Sequence, residues 1–349
     1  MLSSLANRMT TSLVLGCCLP LSSQAPIVTP SADPFALMQE AHERNGLVGT
    51  DILPWHLRGT YRTYDKKGNV NDEGVYEEWW ISPTKYKRSF SSRLFVQTDF
   101  ADGKGLFREG AQEWPTTGYE LPLREGLIDP LPSGAILKEF DLKAHPETAG
   151  KSHIECVSML FPIRPNLTVS GDYFPMYCFE PTMPLLRLYS GGTASRTIYD
   201  HIVNFQGHYV AKEEKIYSAG KLQADMSLDV MEALKNPGDD IVSPSANAKA
   251  VDLTTISFNE NASRFPSLLK KAVPVYPEDA KSRRVQGTVV IRATIGADGH
   301  VGKMQVINGP IELRQSSLDA VGKWVYKPFK ILDQERPVEL ELRVIFTLG

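Results

Sequence analysis

Four cysteines and seven histidines are the side chains in this 349-residue sequence best suited to ligate a metal, exchange electrons or assist a nucleophile. Their spacing supports none of these uses. There is no Cys-x-x-Cys and no His-Glu-x-x-His. His153 stands three residues before Cys156, but no second pair completes a zinc site. Gly103-Lys-Gly105 is too short for a phosphate loop, and no Gly-x-Ser-x-Gly occurs. Glu77-Glu78 reads as a solvated pair on a strand rather than a catalytic carboxylate dyad. Cys17 and Cys18 lie in the apolar leading segment, which leaves Cys156 and Cys178 with 21 residues between them. In an oxidising compartment such a pair reads as a structural disulfide across neighbouring strands. The sequence thus offers no catalytic residue, no metal site and no cofactor motif, and the expectation is a protein that is not an enzyme.

The compartment follows from the N-terminus. Arg8 precedes an apolar run, Met9 to Leu21, and Ser22-Ser-Gln-Ala25 is a small-residue exit, as in a secretory signal over residues 1–25. The run is too short to span a bilayer, which needs about 20 apolar residues. Val14-Leu-Gly-Cys17 loosely resembles a lipobox, so lipidation at Cys17 is the alternative anchor. The expected location is the periplasm. Net charge is −3, which argues against a nucleic-acid partner, but the charge is uneven. Residues 263–349 carry 14 Lys and Arg against 9 Asp and Glu, so a basic end sits on an acidic body.

The length favours two domains. Asp33-Pro34 reads as the N-cap and first-turn proline of a short helix running to Leu47. From His56 the period changes to alternation. Short strands separated by Gly turns run through residues 56–108 and again from Ser152 to Met231, which indicates a curved antiparallel sheet. A Pro- and Leu-rich segment, 118–140, reads as helical or irregular chain crossing that sheet. Residues 233–262 are polar and small, with Asn236-Pro-Gly-Asp-Asp240, and read as a linker.

The C-terminal stretch, 263–349, carries a denser set of signals. Pro277 with Glu278 and Asp279 starts a short helix. Val289, Ile291, Ala293 and Ile295 alternate, and Asp298-Gly299 is a hairpin turn. Val301, Lys303, Gln305 and Ile307 share one face of the next strand, Met304 and Val306 the other. Leu313, Leu318, Val321, Trp324 and Val325 recur at helical spacing, and Pro328 stops that helix. Val338 to Phe346 alternate as a final strand. Tyr276-Pro277, Gly287, Asp298-Gly299, the Ala320, Trp324, Tyr326, Pro328 run and the closing Pro337-Val338 strand resemble, in order and spacing, the C-terminal domain of the TonB energy-transducer family. One departure is Asp333-Gln-Glu-Arg336 where the family usually has a Gly turn. The resemblance implies a β-β-α-β domain that binds the "TonB box" peptide of an outer-membrane receptor beside its last strand. The residues expected to face such a partner are Glu339, Glu341, Arg343 and Ile345. Tyr276 and Trp324 read as core.

A weaker resemblance covers residues 35–232. A helix followed by a long meander opening with Gly59-Thr-Tyr and Glu77-Glu-Trp-Trp-Ile-Ser-Pro-Thr-Lys-Tyr-Lys-Arg88 is similar to the half-barrels of LolA-like lipoprotein carriers. That resemblance implies a lipid or apolar ligand held in a concave sheet. The expected fold is α+β: an antiparallel β-rich half-barrel with a helix, then the β-β-α-β domain. The expected function is a periplasmic TonB-like protein-interaction or transport module, with a carrier or sensor of apolar ligands as the alternative. The missing anchor and the short linker weigh against energy transduction itself.

Overall fold

The computed structural model describes residues 33–47, 49, 51–112, 119–149, 152–160, 175–191, 195–254, 256–258 and 266–348. Residues 1–25, read above as a secretory signal, and Cys17 among them lie outside the described residues.

The fold is α+β, with one large antiparallel sheet and a smaller C-terminal sheet. Helix α1 (Pro34–Arg44) opens as expected: the Asp33 carboxylate accepts from the Phe35 N–H at 3.1 Å, and Pro34 occupies the first turn. It ends three residues before Leu47 because Asn45 is extended and Gly46 takes φ +84°. The buried Asn45 side chain donates to Ala41 O and Pro184 O and accepts from the Leu186 N–H, tying the helix end to a distant strand.

The large sheet begins with β1 (Trp55–Tyr64), β2 (Val70–Ser82), β3 (Lys85–Ser92), β4 (Val96–Asp102) and β5 (Leu106–Gly110). Helices α2 (Glu120–Ile128) and α3 (Gly134–Leu137) cross it. It resumes with β6 (Asp141–Ala149), β7 (Ser152–Leu160), β8 (Met176–Phe179), β9 (Leu186–Ser190), β10 (Ser195–Phe205), β11 (His208–Ser218) and β12 (Lys221–Ala233). Strand β12 returns to pair with β1, so the order is β5-β4-β3-β2-β1-β12-β11-β10-β9-β8-β7-β6. Strand β6 was not foreseen: Asp141-Leu-Lys-Ala-His-Pro-Glu-Thr-Ala is polar and contains Pro146. It forms because it lies at the sheet edge, where a missing N–H breaks no ladder. Two-residue turns with positive φ join β10 to β11 (Gln206, Gly207) and β11 to β12 (Ala219, Gly220), matching the strand twist.

Alternation sorts this sheet into two faces. Trp55, Leu57 and Tyr61 of β1 point to the face covered by Leu123, Leu127 and Ile128 of α2. Met38 and Ala41 of α1 and Ile136 and Leu137 of α3 pack on Val157, Phe179 and Tyr199. Cys156 and Cys178, opposite one another on β7 and β8, are joined by a disulfide inside a small separate cluster. Glu78 corrects the reading of a solvated pair: it is in phase with Tyr76, wholly buried, and only Glu77 faces outward.

The polar stretch read as a linker is folded onto both sheets. A 3-10 turn (Asp239–Val242) leads to β13 (Lys249–Ala250), which pairs with β5 as a thirteenth strand. Next, β14 (Ile256–Phe258) joins the C-terminal sheet. That domain continues with β15 (Leu268–Lys270), α4 (Glu278–Ser282), β16 (Gly287–Ile295), β17 (Val301–Asn308), α5 (Ile311–Val321), β18 (Val325–Tyr326), β19 (Phe329–Ile331), β20 (Gln334–Arg336) and β21 (Val338–Phe346). The sheet order is β14-β21-β16-β17.

Two local readings change here. Helix α5 ends at Val321, where Gly322 N–H bonds Leu318 O, so Trp324 and Val325 lie beyond the helix and Pro328 is not what stops it. A register shift between Ala293 and Ile295 turns Val301 toward the core instead of sharing the outward face of Lys303.

Candidate functional site

Strand β21 exists as an edge because β16 covers one side of it along its whole length and β14 covers only part of the other. Strand β14 runs parallel to β21, opposing Val338, Glu339 and Leu340. Among the described residues, the pairing with β14 stops at Leu340. The edge of a sheet is a template for another extended chain.

The side chains of β21 alternate cleanly. Val338, Leu340, Leu342, Val344 and Phe346 are buried, while Glu339, Glu341, Arg343 and Ile345 lie on the outer face. Ile345 is 67% exposed, unusual for so large an aliphatic group. Glu339 pairs with Arg292 of β16 at 3.6 Å, and Arg343 lies 3.9 Å from Glu341. All these pairs are half-exposed and contribute little to stability.

The motif residues of the C-terminal stretch do a different job: they hold the domain together. Asp298 accepts from the His300 N–H at 3.0 Å, and Gly299 takes φ +83° with the carbonyl of Tyr326 where a Cβ would stand. The Tyr326 N–H in turn donates to Gly299 O at 2.8 Å. Thus the β16–β17 turn is clamped to β18. Trp324 is buried, and its indole N–H donates to Ala272 O at 2.9 Å. The Tyr276 ring meets Phe346 edge-on at 5.2 Å, and its hydroxyl donates to Val285 O. Ala320 is buried in α5, Pro277 precedes α4, Gly287 opens β16 at φ +149° against Pro310, and Pro328 follows β18. At the turn where the family usually has glycine, Leu332 and Asp333 both take positive φ, a strain of about 1–2 kcal/mol per residue for ordinary side chains.

A second region is built from charges that the sequence reading did not find. Arg124 of α2 grips the buried Glu78 carboxylate with Nε at 2.7 Å and Nη2 at 2.8 Å, and the Tyr76 hydroxyl adds a third bond at 2.7 Å. Burial pushes the Glu78 carboxyl up, but the Arg124 charge and its hydrogen bonds outweigh that and hold it below the usual range. Arg124 also reaches Glu125 at 3.3 Å. Glu125 and Asp129 then share Lys327 of the C-terminal domain, at 3.6 and 3.0 Å. Burial lowers the Lys327 ammonium, and the two carboxylates more than restore it, holding it above its ordinary value. The chain of charges ends at His42, 3.9 Å from Asp129, whose imidazole is held low by burial.

Lys327 is therefore a strut between the two domains. Around it, Leu269 of β15 is buried among the α1 and α3 side chains, Tyr86 and Leu121 join the C-terminal core cluster, and His300 lies 3.2 Å from Glu139. The helices and the C-terminal domain cover the face of the large sheet on which an apolar ligand was expected. The space that remains includes a cavity of about 280 Å³ on one side of Lys327 and another of about 320 Å³ on the other. A signal for this region was present. Glu78, Arg88, Asp99, Arg108 and Glu214 all stand in phase with buried apolar neighbours on their strands. Arg88 and Arg108 both bind Asp99, at 3.1 and 2.6 Å.

Among the described residues no group of three or more His, Cys, Asp or Glu is placed to hold a metal, and no helix is long and apolar enough to cross a membrane.

Comparison with known proteins agrees with the C-terminal geometry. Residues 272–348 match the family described as Gram-negative bacterial TonB protein C-terminal. The C-terminal stretch is therefore similar to the TonB C-terminal domain. No curated protein matches the sequence. Among solved structures, a LolA superfamily protein from Nitrosomonas europaea aligns with a TM-score of 0.40 at 10% identity, covering 61% of this chain and 99% of its own. A domain described as an outer membrane lipoprotein-sorting protein, from Vibrio parahaemolyticus, aligns with a TM-score of 0.38 at 7% identity, covering 59% and 94%. A DUF1329 family protein from Desulfovibrio piger gives 0.33 at 8%, covering 61% and 97%.

Proposed function

We propose that this is a periplasmic docking protein whose C-terminal domain captures an extended peptide by β-strand addition along Glu341–Phe346 of β21. The observation that carries this reading is β14. The same edge already accepts a strand from the chain itself, in parallel register over Val338–Leu340. Backbone hydrogen bonds would supply most of the affinity, and the outward side chains Glu339, Glu341, Arg343 and Ile345 would select the partner. The TonB box of an outer-membrane receptor is the expected peptide. Glu341 and Arg343 offer both charge signs, and Ile345 offers an apolar contact.

The large sheet then serves as a platform. It fixes the C-terminal domain through Lys327, Leu269 and the β13–β14 segment, so that the β21 edge is presented in one orientation.

The test uses the full chain and a labelled receptor TonB-box peptide followed by fluorescence anisotropy. The expected result is saturable binding that is lost when alternate peptide nitrogens are methylated, because methylation removes the donors a strand needs. Binding indifferent to N-methylation, or amide shifts that spare β21, would refute strand addition.

A further inference from the structure

The cavity of about 280 Å³ lies between the large sheet, α2 and the C-terminal domain, close to the lower end of the ~300–1,000 Å³ range of ligand sites. Its floor holds one unusual group. Glu214 of β11 is 1% exposed, and its Oε2 has no hydrogen-bond partner. Its cross-strand neighbours are Tyr199 on β10 and Met226 on β12, neither of them a cation. Gly126 lets α2 pass over it: a Cβ there would overlap the carboxyl. A carboxyl is costly to bury without a partner, by several kcal/mol when charged. A fold that keeps one at the edge of a void leaves room for the missing partner.

The walls indicate what that partner is. Tyr177, Tyr189 and Tyr199 line the cavity, with the first two rings 4.9 Å apart. Among the described residues, the fixed charges on the lining are the carboxylates of Glu125 on α2 and of Asp129 at its C-cap and the ammonium of Lys327, which those two already share. They sum to a negative value before Glu214 ionises. Aromatic faces attract cations, by about 2 kcal/mol or more when water is excluded. An anion would meet this negative lining, and a purely apolar ligand would leave Glu214 unpaired.

We propose that this cavity binds a small organic cation, an alkylammonium or quaternary ammonium group, with Glu214 as its counter-ion and the tyrosine rings as its wall. In the empty protein, burial holds the Glu214 carboxyl well above the usual range, which favours its protonated form. The groups that share the cavity with it are Tyr119 beside α2, the three sheet tyrosines, Glu125, Asp129 and Lys327. Tyr199 is pushed well above its ordinary value by burial and then by Glu214. Entry of a cation therefore favours the carboxylate, and one proton leaves to solvent for each cation bound. This site is independent of the β21 edge, so either can fail without the other.

The experiment is isothermal titration of the full chain with choline and with its neutral isostere 3,3-dimethyl-1-butanol, near neutral pH, in phosphate and in Tris. The two buffers differ in ionisation enthalpy and so report the proton count. Choline is expected to bind with close to one proton released. The alcohol should bind at least about ten-fold more weakly and release none. Glu214→Gln should weaken choline by about ten-fold and abolish the release, while melting no lower than the parent. Tyr199→Leu should weaken choline and keep the proton count. Equal binding of the two ligands, no choline binding at millimolar concentration, or unchanged proton release in Glu214→Gln would each overturn the proposal.

Discussion

Strand β16 buries Val289, Ile291, Ala293 and Ile295, whereas strand β2, with the same alternation, buries Asp72, Tyr76 and Glu78. The contrast extends to the two sheets. Among the described residues of the C-terminal domain, Ser317 is the only polar side chain in the buried class. The large sheet buries Glu78, Arg88, Asp99, Arg108 and Glu214. Alternation thus reports which side a residue faces, not what that side is made of. An apolar interior makes the C-terminal domain a stable frame for an exposed edge. A charged interior makes the large sheet dependent on partners, pH and the neighbouring domain.

The largest effect should come from breaking that dependence at its centre. Arg124→Met leaves the buried Glu78 without its ion-pair partner, with the Tyr76 hydroxyl bond remaining, and should cost about 3 kcal/mol in urea unfolding at neutral pH. The second change Glu78→Leu should recover much of it, since both charges are then gone. Because the folded Glu78 pKa lies below its unfolded value, the parent's stabilisation is present above the unfolded carboxylate range and is lost as pH falls through the folded pKa. A loss of similar size from Leu313→Ala in the C-terminal core, about 2–5 kcal/mol, should not depend on pH. Equal pH dependence of the two variants would contradict the contrast.

Lys327→Met tests whether the two regions are coupled. It removes the cation shared by Glu125 and Asp129 and should cost less than Arg124→Met, because the carboxylates left behind keep some exposure whereas Glu78 has none. Calorimetry should then resolve two transitions where the parent shows one. A single unshifted transition would mean that the apolar contacts of Leu269 and Tyr86 hold the domains together without the strut.

Glu214 gives a smaller effect of opposite sign. Its folded pKa is raised, so the folded state keeps a proton that the unfolded chain gives up above about pH 4.3. Stability therefore falls as pH rises from there toward the folded pKa, at most by about 1.4 kcal/mol per pH unit. Glu214→Gln removes that slope and should stabilise the protein increasingly as pH rises above about 4.3. The gain should close near pH 4 in thermal melts. A gain independent of pH would assign it to packing.

These cases also show what could be read in advance. The C-terminal domain was legible almost residue by residue because its periods, turn signals and apolar faces agree: Asp298-Gly299, the β16 alternation and the closing strand each point to the same fold. The shorter range of α5 was not, because Trp324 continues the helical spacing while Gly322 ends the helix. The large sheet was legible as strands, but its interior was not. Glu78 looks solvated until Arg124, 46 residues away, is seen to cross over it. The Glu214 cavity needs three distant segments to exist at all. Nor does the polar composition of residues 233–262 distinguish a free linker from one that adds a strand to each sheet, since exposed edge strands such as Lys249–Ala250 are polar too.

The smallest stability effect should accompany a clear loss of binding. Ile345 is exposed and on an edge strand, so Ile345→Thr should change unfolding by no more than about 0.5 kcal/mol. Threonine keeps the β-branch the strand prefers and removes the apolar end that faces the partner. Peptide affinity should fall several-fold in the anisotropy assay, with the melting curve unmoved. Ser257→Pro is the opposing variant: Ser257 is exposed, pairs with Glu339, and as proline cannot donate to the ladder. Freeing the edge beside Val338–Leu340 should lengthen the available template and tighten the same peptide by several-fold. If Ser257→Pro weakens it instead, β14 is a support that shapes the edge, not a strand that competes for it, and the peptide pairs only along Glu341–Phe346.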